Sequence, residues 1–331
     1  MVNLAPRLRH RLGLVAGPSK RAAGPGAPTT DIHQHLWPED LLAALSRRTE
    51  APRLIRTGRV WQLQARGEPA FVVDPTDHDP IRRAQRATLD GIDRVIVAPS
   101  CPIGIDALPA NEAAPLLEAY HSGVAALGAP FRAWAATSLA DPDPLTLANY
   151  LSAGFVGLCV PAGAFSAPDE IARVLPLLDL LEARSAPLFI HPGPAPWAPA
   201  PGVPSNAPGW WAALTTYVTQ MHRAWFVVNH VVRRDFPALR ICFAMLGGLA
   251  PLHADRLRSR GVSGFEPDRV TFLETSSYGP DITAAVAAVA GESAIVFGTD
   301  RPVVSTAPMS LTSAKSAREN VARLIDGEVE E

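Results

Sequence analysis

Eight short apolar runs, each followed by a loop, recur along the 331-residue chain at about 29–35, 93–99, 131–137, 155–161, 187–191, 239–245, 270–275 and 294–300. β-Branched and aromatic residues are frequent in them, which marks short strands. Segments with helical spacing, such as AAPLLEAYHSGVAAL, DEIARVLPLLDLLEARS and DITAAVAAVAG, separate nearly all of them. Strands alternating with helices imply a parallel sheet, and eight such repeats predict an α/β chain folded as a (β/α)8 TIM barrel. A barrel of about 250 residues with insertions occupies most of this length as one domain, here 29–325.

Four residues at the carboxyl ends of these runs carry the chemistry: His33 and His35 in TTDIHQHLW, His191 in PLFIHPG and Asp300 in IVFGTDRP. Alternate residues of a strand face the same way, so His33 and His35 point inward while Gln34 points away. A third imidazole and a carboxylate from distant strands complete an N/O shell for one divalent ion, with a position left for water or substrate. Zn²⁺ is the first expectation, with Mn²⁺ or Fe²⁺ as alternatives. Asp31 shares the inward face, so it is expected either to fix the tautomer of a ligand imidazole or to cap a loop.

Apolar residues make up 47% of the chain and charged residues 19%, a balance that suits a globular enzyme with buried strands and argues against a mostly disordered chain. A net charge of −2 gives no reason to expect a nucleic-acid partner. No apolar run reaches the roughly 18 residues that a membrane span needs. Residues 1–28 read as a flexible basic tail, because LGLVAG is too short for a secretory core; residues 326–331 read as an acidic tail. Cys101, Cys159 and Cys242 are odd in number and far apart, which predicts reduced core residues and a cytoplasmic protein.

The stretch 37–80 is too long for a simple strand-to-helix connection, and RVWQLQARGEPAFVVD within it predicts a small hairpin around Arg66 and Gly67, inserted over the barrel mouth. The proline- and tryptophan-rich loop after His191 is expected to form a wall or lid of the pocket, or else to anchor itself to the barrel surface. VDPTDHDP predicts a turn that caps the following helix.

With HQH, HPG, FPALRICFAMLGG, FLETSSY and FGTDRP in this order, the chain resembles the amidohydrolase superfamily, specifically the amidohydrolase-related branch that contains aminocarboxymuconate-semialdehyde decarboxylase-like enzymes, over about residues 29–325. The resemblance implies one divalent metal held by His33, His35, His191 and Asp300. A carbamate-bridged metal pair is excluded, since the only lysines are Lys20 and Lys315, neither on the fourth strand. One position departs from the pattern. Where relatives usually have AHxGG on the sixth strand, this chain has Met245, and a thioether cannot transfer a proton. His253 is the leading substitute, ahead of His222 and His230.

The leading expectation is hydrolysis of an ester, lactone or amide in a small carboxylated or aromatic substrate, with Asp300 as general base. The alternative, only slightly behind, is non-oxidative decarboxylation with Asp300 as the acid; a barrel that has lost catalysis and binds a ligand is the third reading. Arg301, with Arg56 and Arg59, is a candidate for holding a carboxylate, and Trp37, Trp61 and Trp197 for stacking on a ring. No nucleic-acid or membrane partner is expected, and homodimers are common among the proteins this chain resembles.

Overall fold

The computed structural model describes residues 28–58, 60–198, 204, 206–262, 268–304 and 314–327. The basic tail expected at 1–28 therefore lies outside the described residues except for Pro28, as do Arg59 and residues 328–331 of the acidic tail. Each of the eight predicted runs contains a strand: β1 (Thr30–Gln34), β5 (Arg94–Val97), β6 (Phe131–Ala133), β7 (Leu158–Pro161), β8 (Leu188–His191), β9 (Ile241–Phe243), β10 (Thr271–Glu274) and β11 (Ile295–Val296). The intervening β2 (Arg53–Thr57), β3 (Val60–Gln64) and β4 (Phe71–Val73) form an antiparallel sheet of three strands. Within it, β3 and β4 pair antiparallel from Trp61 opposite Val73 to Leu63 opposite Phe71, on either side of Arg66 and Gly67. The additional strand, β2, pairs with β3 from Arg53 opposite Gln64 to Thr57 opposite Val60.

The other strands pair in parallel as β1–β5–β6 and as β7–β8–β9–β10–β11. Backbone hydrogen bonds cross between the two sheets on both sides. On one side Ala135 N donates to Gly157 O at 2.8 Å and Cys159 N to Ala135 O at 2.8 Å. On the other, Ile32 N donates to Phe297 O at 3.1 Å, and Asp300 N to His33 O at 2.8 Å.

The helices between strands follow their local sequence. They include α1 (Glu39–Ser46), α2 (Pro80–Leu89), α3 (Ala110–Ala125), α4 (Pro144–Ser152), α5 (Leu175–Ala183) and α6 (Tyr217–Val227). Asp79 and Asp143 accept the first free N–H groups of α2 and α4, and in both a proline follows, where its missing donor costs nothing. The strands are buried on both faces: Ile32, Val95, Ile96, Leu158, Phe189, Ile190, Phe243 and Phe272 are fully enclosed. Cys101, Cys159 and Cys242 are free thiols in this core. Among the described residues no helix is long and apolar enough to cross a membrane.

Asp31 ties the first strand to the segment after the last. Its carboxylate accepts from His33 N (3.1 Å), Gln34 Nε2 (2.6 Å), Thr299 N (3.1 Å) and Thr299 Oγ1 (2.7 Å), with the residue wholly buried. No imidazole is among its partners, so of its two expected roles the structural one is observed. A buried donor left without an acceptor costs about 1–3 kcal/mol, so Asp31→Ala is expected to destabilise the fold by at least about 3 kcal/mol in urea unfolding, and Asp31→Asn by less.

Candidate metal centre

The four ligand candidates lie at the carboxyl ends of β1, β8 and β11, where the backbone leaves the sheet and their side chains converge. His33 Nε2 lies 3.2 Å from His35 Nε2, 3.1 Å from His191 Nε2 and 3.5 Å from Asp300 Oδ1. His35 Nε2 lies 3.0 Å from the same Asp300 oxygen. The three rings meet edge to face, with interplanar angles of 90°, 88° and 81°. Asp300 reaches this point from a left-handed backbone (φ 56°), a conformation that aspartate tolerates better than most residues.

The protonation of the rings follows from what their other nitrogens touch. His35 Nδ1 lies 3.0 Å from Ala98 O, and His191 Nδ1 lies 2.8 Å from Pro192 O. His33 Nδ1 lies 2.9 Å from Glu274 Oε2. Carbonyl and carboxylate oxygens only accept, so each Nδ1 carries the proton and each neutral ring presents a bare Nε2. Three lone pairs and a carboxylate then face one another in a nearly dry space, an arrangement that is repulsive unless a cation lies among them. Donors about 2.1 Å from a tetrahedral ion are about 3.4 Å apart, close to the separations found here. The site fits one divalent ion through His33, His35, His191 and Asp300.

Burial pushes the His33 pKa down, but Glu274 and Asp300 more than reverse this, and it rises to about 9. Burial, followed by the charge of His33 and His35, holds His191 well below the usual imidazole range. Burial would raise Asp300, yet the three histidines outweigh it and keep the group a carboxylate.

Glu274 is the residue that sequence reasoning left out. It is fully buried at the end of β10 and accepts from His33 Nδ1, Ser276 Oγ (2.8 Å), Ser276 N (2.5 Å) and Met245 N (3.3 Å). It thus fixes the His33 tautomer, the task considered for Asp31. Gly298 in FGTD makes room for it, because a Cβ there would collide with the Glu274 carboxylate.

The remaining candidates are dispersed. His253 is exposed and sets its ring against His222, whose Nε2 bonds Gly248 O at 2.6 Å, so the structure does not bring it into the cluster. His230 stacks on Phe226. Trp37 is buried, stacked on His78 and hydrogen-bonded to Ser100. Arg301 ion-pairs with Asp90 at the end of α2 and so braces the rim. Trp61 and Trp197 are partly buried, beneath Arg56 at 4.3 Å and Arg173 at 5.1 Å. At the sixth strand, Met245 begins five consecutive left-handed residues, Met245 to Leu249, with φ between 49° and 65°.

Several solved structures share this architecture. The 5-carboxyvanillate decarboxylase LigW from Sphingomonas paucimobilis aligns with a TM-score of 0.68 at 16% identity, covering 91% of this chain and 99% of its own. The IDCase of Metarhizium anisopliae, in apo form, aligns at 0.66 with 17% identity, covering 91% and 92%. A dihydroxybenzoic acid decarboxylase from Polaromonas sp. JS666, with bound manganese and the inhibitor 2-nitroresorcinol, aligns at 0.62 with 18% identity, covering 92% and 98%. The chain has the fold of the amidohydrolase-type decarboxylases. No protein-family model and no curated protein matches the chain. The likeness in fold agrees with the resemblance carried by HQH, HPG and GTD.

Two outcomes are expected. At pH 7 metal binding displaces the His33 proton, so calorimetry in buffers of different ionisation enthalpy should register the release of about one proton, and affinity should fall as pH drops from about 9. Replacing Glu274 with Ala should weaken metal affinity by about 10–100-fold in chelator competition, the usual scale for a residue that orients a ligand.

Proposed function

We propose that this protein is a single-metal decarboxylase of the amidohydrolase superfamily that acts on a small, aromatic or otherwise unsaturated carboxylic acid. The observation that carries the reading is the convergence of three bare imidazole nitrogens and one carboxylate oxygen, in a fold whose solved neighbours include carboxyvanillate and dihydroxybenzoate decarboxylases. The order of the two reactions expected from sequence is thereby reversed. We read the two parallel sheets, joined on both sides by backbone hydrogen bonds, as one closed (β/α)8 barrel, with the β2–β3–β4 sheet over its mouth.

A bound Zn²⁺ or Mn²⁺ would supply positive charge to orient the substrate carboxylate and stabilise charge developing on the adjacent carbon. The chain's residues do the rest. Glu274 holds His33 in its ligating tautomer, and the three ligand rings are buried. In this reading Asp300 passes a proton to the carbon that loses CO₂. Trp61 and Trp197, each with an arginine over its ring, are the substrate-facing aromatics in this reading. Arg301 is left out because Asp90 engages it. The reading carries a small-molecule substrate, a cytoplasmic setting, and no nucleic-acid or membrane partner.

Hydrolysis is the second reading, favoured by one observation: Asp300 is held as a carboxylate, the form that a general base needs and that an acid must first have protonated. Measuring CO₂ release from a panel of hydroxybenzoic acids, with Zn²⁺- or Mn²⁺-loaded protein, separates the two. Metal-dependent CO₂ release, reduced by about 100-fold or more in Asp300→Asn, is the expected result. Cleavage of lactones or amides without CO₂ would favour the hydrolase, and turnover of neither would contradict both.

A further inference from the structure

Of the three arginines on α2, two lie at the surface: Arg82 stands 3.8 Å from Asp79, and Arg86 bonds Asp90 at 3.0 Å. Arg83 points inward instead. With Ala87, one turn further on, it makes up the buried face of the helix. A buried guanidinium is unfavourable unless its N–H groups find acceptors, and here four bonds leave its two terminal nitrogens. Nη1 donates to His35 O (3.0 Å) and Asp77 O (3.0 Å), while Nη2 donates to Gln34 Oε1 and to Arg301 O (3.2 Å).

Three of these acceptors belong to the two chain segments that carry ligand candidates. His35 is one of the candidates, Gln34 lies between His33 and His35, and Arg301 follows Asp300. Arg301 O also accepts from His35 N at 2.6 Å. Gln34 carries the contact onward, since its Nε2 donates to Asp31 Oδ2 at 2.6 Å, so one amide joins the buried cation to a buried carboxylate. The fourth acceptor, Asp77 O, lies in the turn Pro75–His78 that leads from the β2–β3–β4 sheet into α2. In the same turn His78 accepts from Trp37 N at 3.1 Å. One side chain thus ties together the HxH strand, the segment after the last strand and the end of the insertion.

We propose that Arg83 is a positioning residue of the metal centre: by holding His35 O and Arg301 O on one rigid guanidinium, it sets the spacing of His35 and Asp300, 3.0 Å from Nε2 to Oδ1, and with it the affinity for a divalent ion. This rests on the metal-centre reading above and not on which reaction the centre serves. Arg83 acts through its neighbours, in the way that residues behind a ligand tune its orientation. Its planar fork is the property that matters. A guanidinium fixes the directions of its N–H groups, whereas an ammonium offers three on a single nitrogen and cannot span the same four acceptors. Arg83→Lys therefore keeps the charge and loses the geometry. Gln34→Met is milder, because it removes one bond and the link to Asp31 while leaving the three carbonyl acceptors in place.

The test compares full-length wild type, Arg83→Lys and Gln34→Met with a control, Arg233→Lys. Arg233 makes a similar set of bonds, to Phe236 O (3.1 Å), Leu239 O (2.6 Å) and Thr271 Oγ1 (3.0 Å), at the amino ends of β9 and β10, away from the ligand candidates. Zn²⁺ affinity by chelator competition and the visible spectrum of Co²⁺-loaded protein are read beside the melting temperature. Arg83→Lys should weaken Zn²⁺ binding by about 10–100-fold and change the intensity of the Co²⁺ bands. Gln34→Met should move both in the same direction by less, and Arg233→Lys should lower only the melting temperature. Wild-type affinity and spectrum in Arg83→Lys overturn the proposal, as does an equal loss of affinity in Arg233→Lys, which would mark a general effect of stability. If Arg83→Lys does not fold, Gln34→Met decides, and unchanged affinity there overturns it. Wild-type protein that binds neither ion would end the metal-centre reading and this proposal together, an outcome distinct from an ion that every variant binds equally well.

Discussion

Three imidazole nitrogens with exposed lone pairs do not assemble around one carboxylate unless something positive belongs between them. That constraint organises the rest of the molecule. Each ring is held by a bond from its Nδ1 proton to an oxygen that only accepts: Glu274 for His33, the Ala98 carbonyl for His35 and the Pro192 carbonyl for His191. Two of those oxygens are backbone atoms at strand ends, so the sheet itself sets the ring orientations. Glu274 and Asp300, the carboxylates beside its ring, hold the His33 pKa up at about 9 against the effect of burial.

The surrounding architecture protects this convergence. His33 and His35 come from one strand and His191 from another, while Asp300 lies beyond the last strand, so their mutual distances depend on strand register. Asp31 fixes part of that register through Thr299, and the backbone bonds from Ile32 to Phe297 and from Asp300 to His33 fix the remainder. Gly298 then lets Glu274 approach from β10 without a clash. A substitution at Asp31, Thr299, Gly298 or Glu274 would shift the four ligand candidates without removing any of them.

Much of this was legible in the sequence because strands and metal sites have short, rigid periods. The HxH spacing assigns two rings to one face, and the eight apolar runs mark the strands. What escaped was decided by register and by distant packing. Glu274 in FLETSS could face either way, since a four-residue apolar run does not fix its phase. Its signal was the unpaired acid at a strand's carboxyl end, together with the glycine in FGTD that accommodates it. His253 was expected near the mouth because the path of the chain after GGLAP cannot be read from composition; the left-handed turn from Met245 to Leu249 leads it to the surface. Trp37 looked like a free aromatic because its partners, His78 and Ser100, are 41 and 63 residues away. RLIRT sets two adjacent apolar residues among polar ones and has no period-two alternation, so the sequence carries little signal for β2.

X-ray absorption at the metal edge of protein loaded with one equivalent of Zn²⁺ tests the convergence most directly. Three nitrogen scatterers and at least one oxygen at about 2.0–2.2 Å, with imidazole outer-shell features reduced by about one ring in His33→Ala, is the expected result. An ion bound without imidazole, or a spectrum that His33→Ala leaves unchanged, would contradict the assignment of this site as the metal centre.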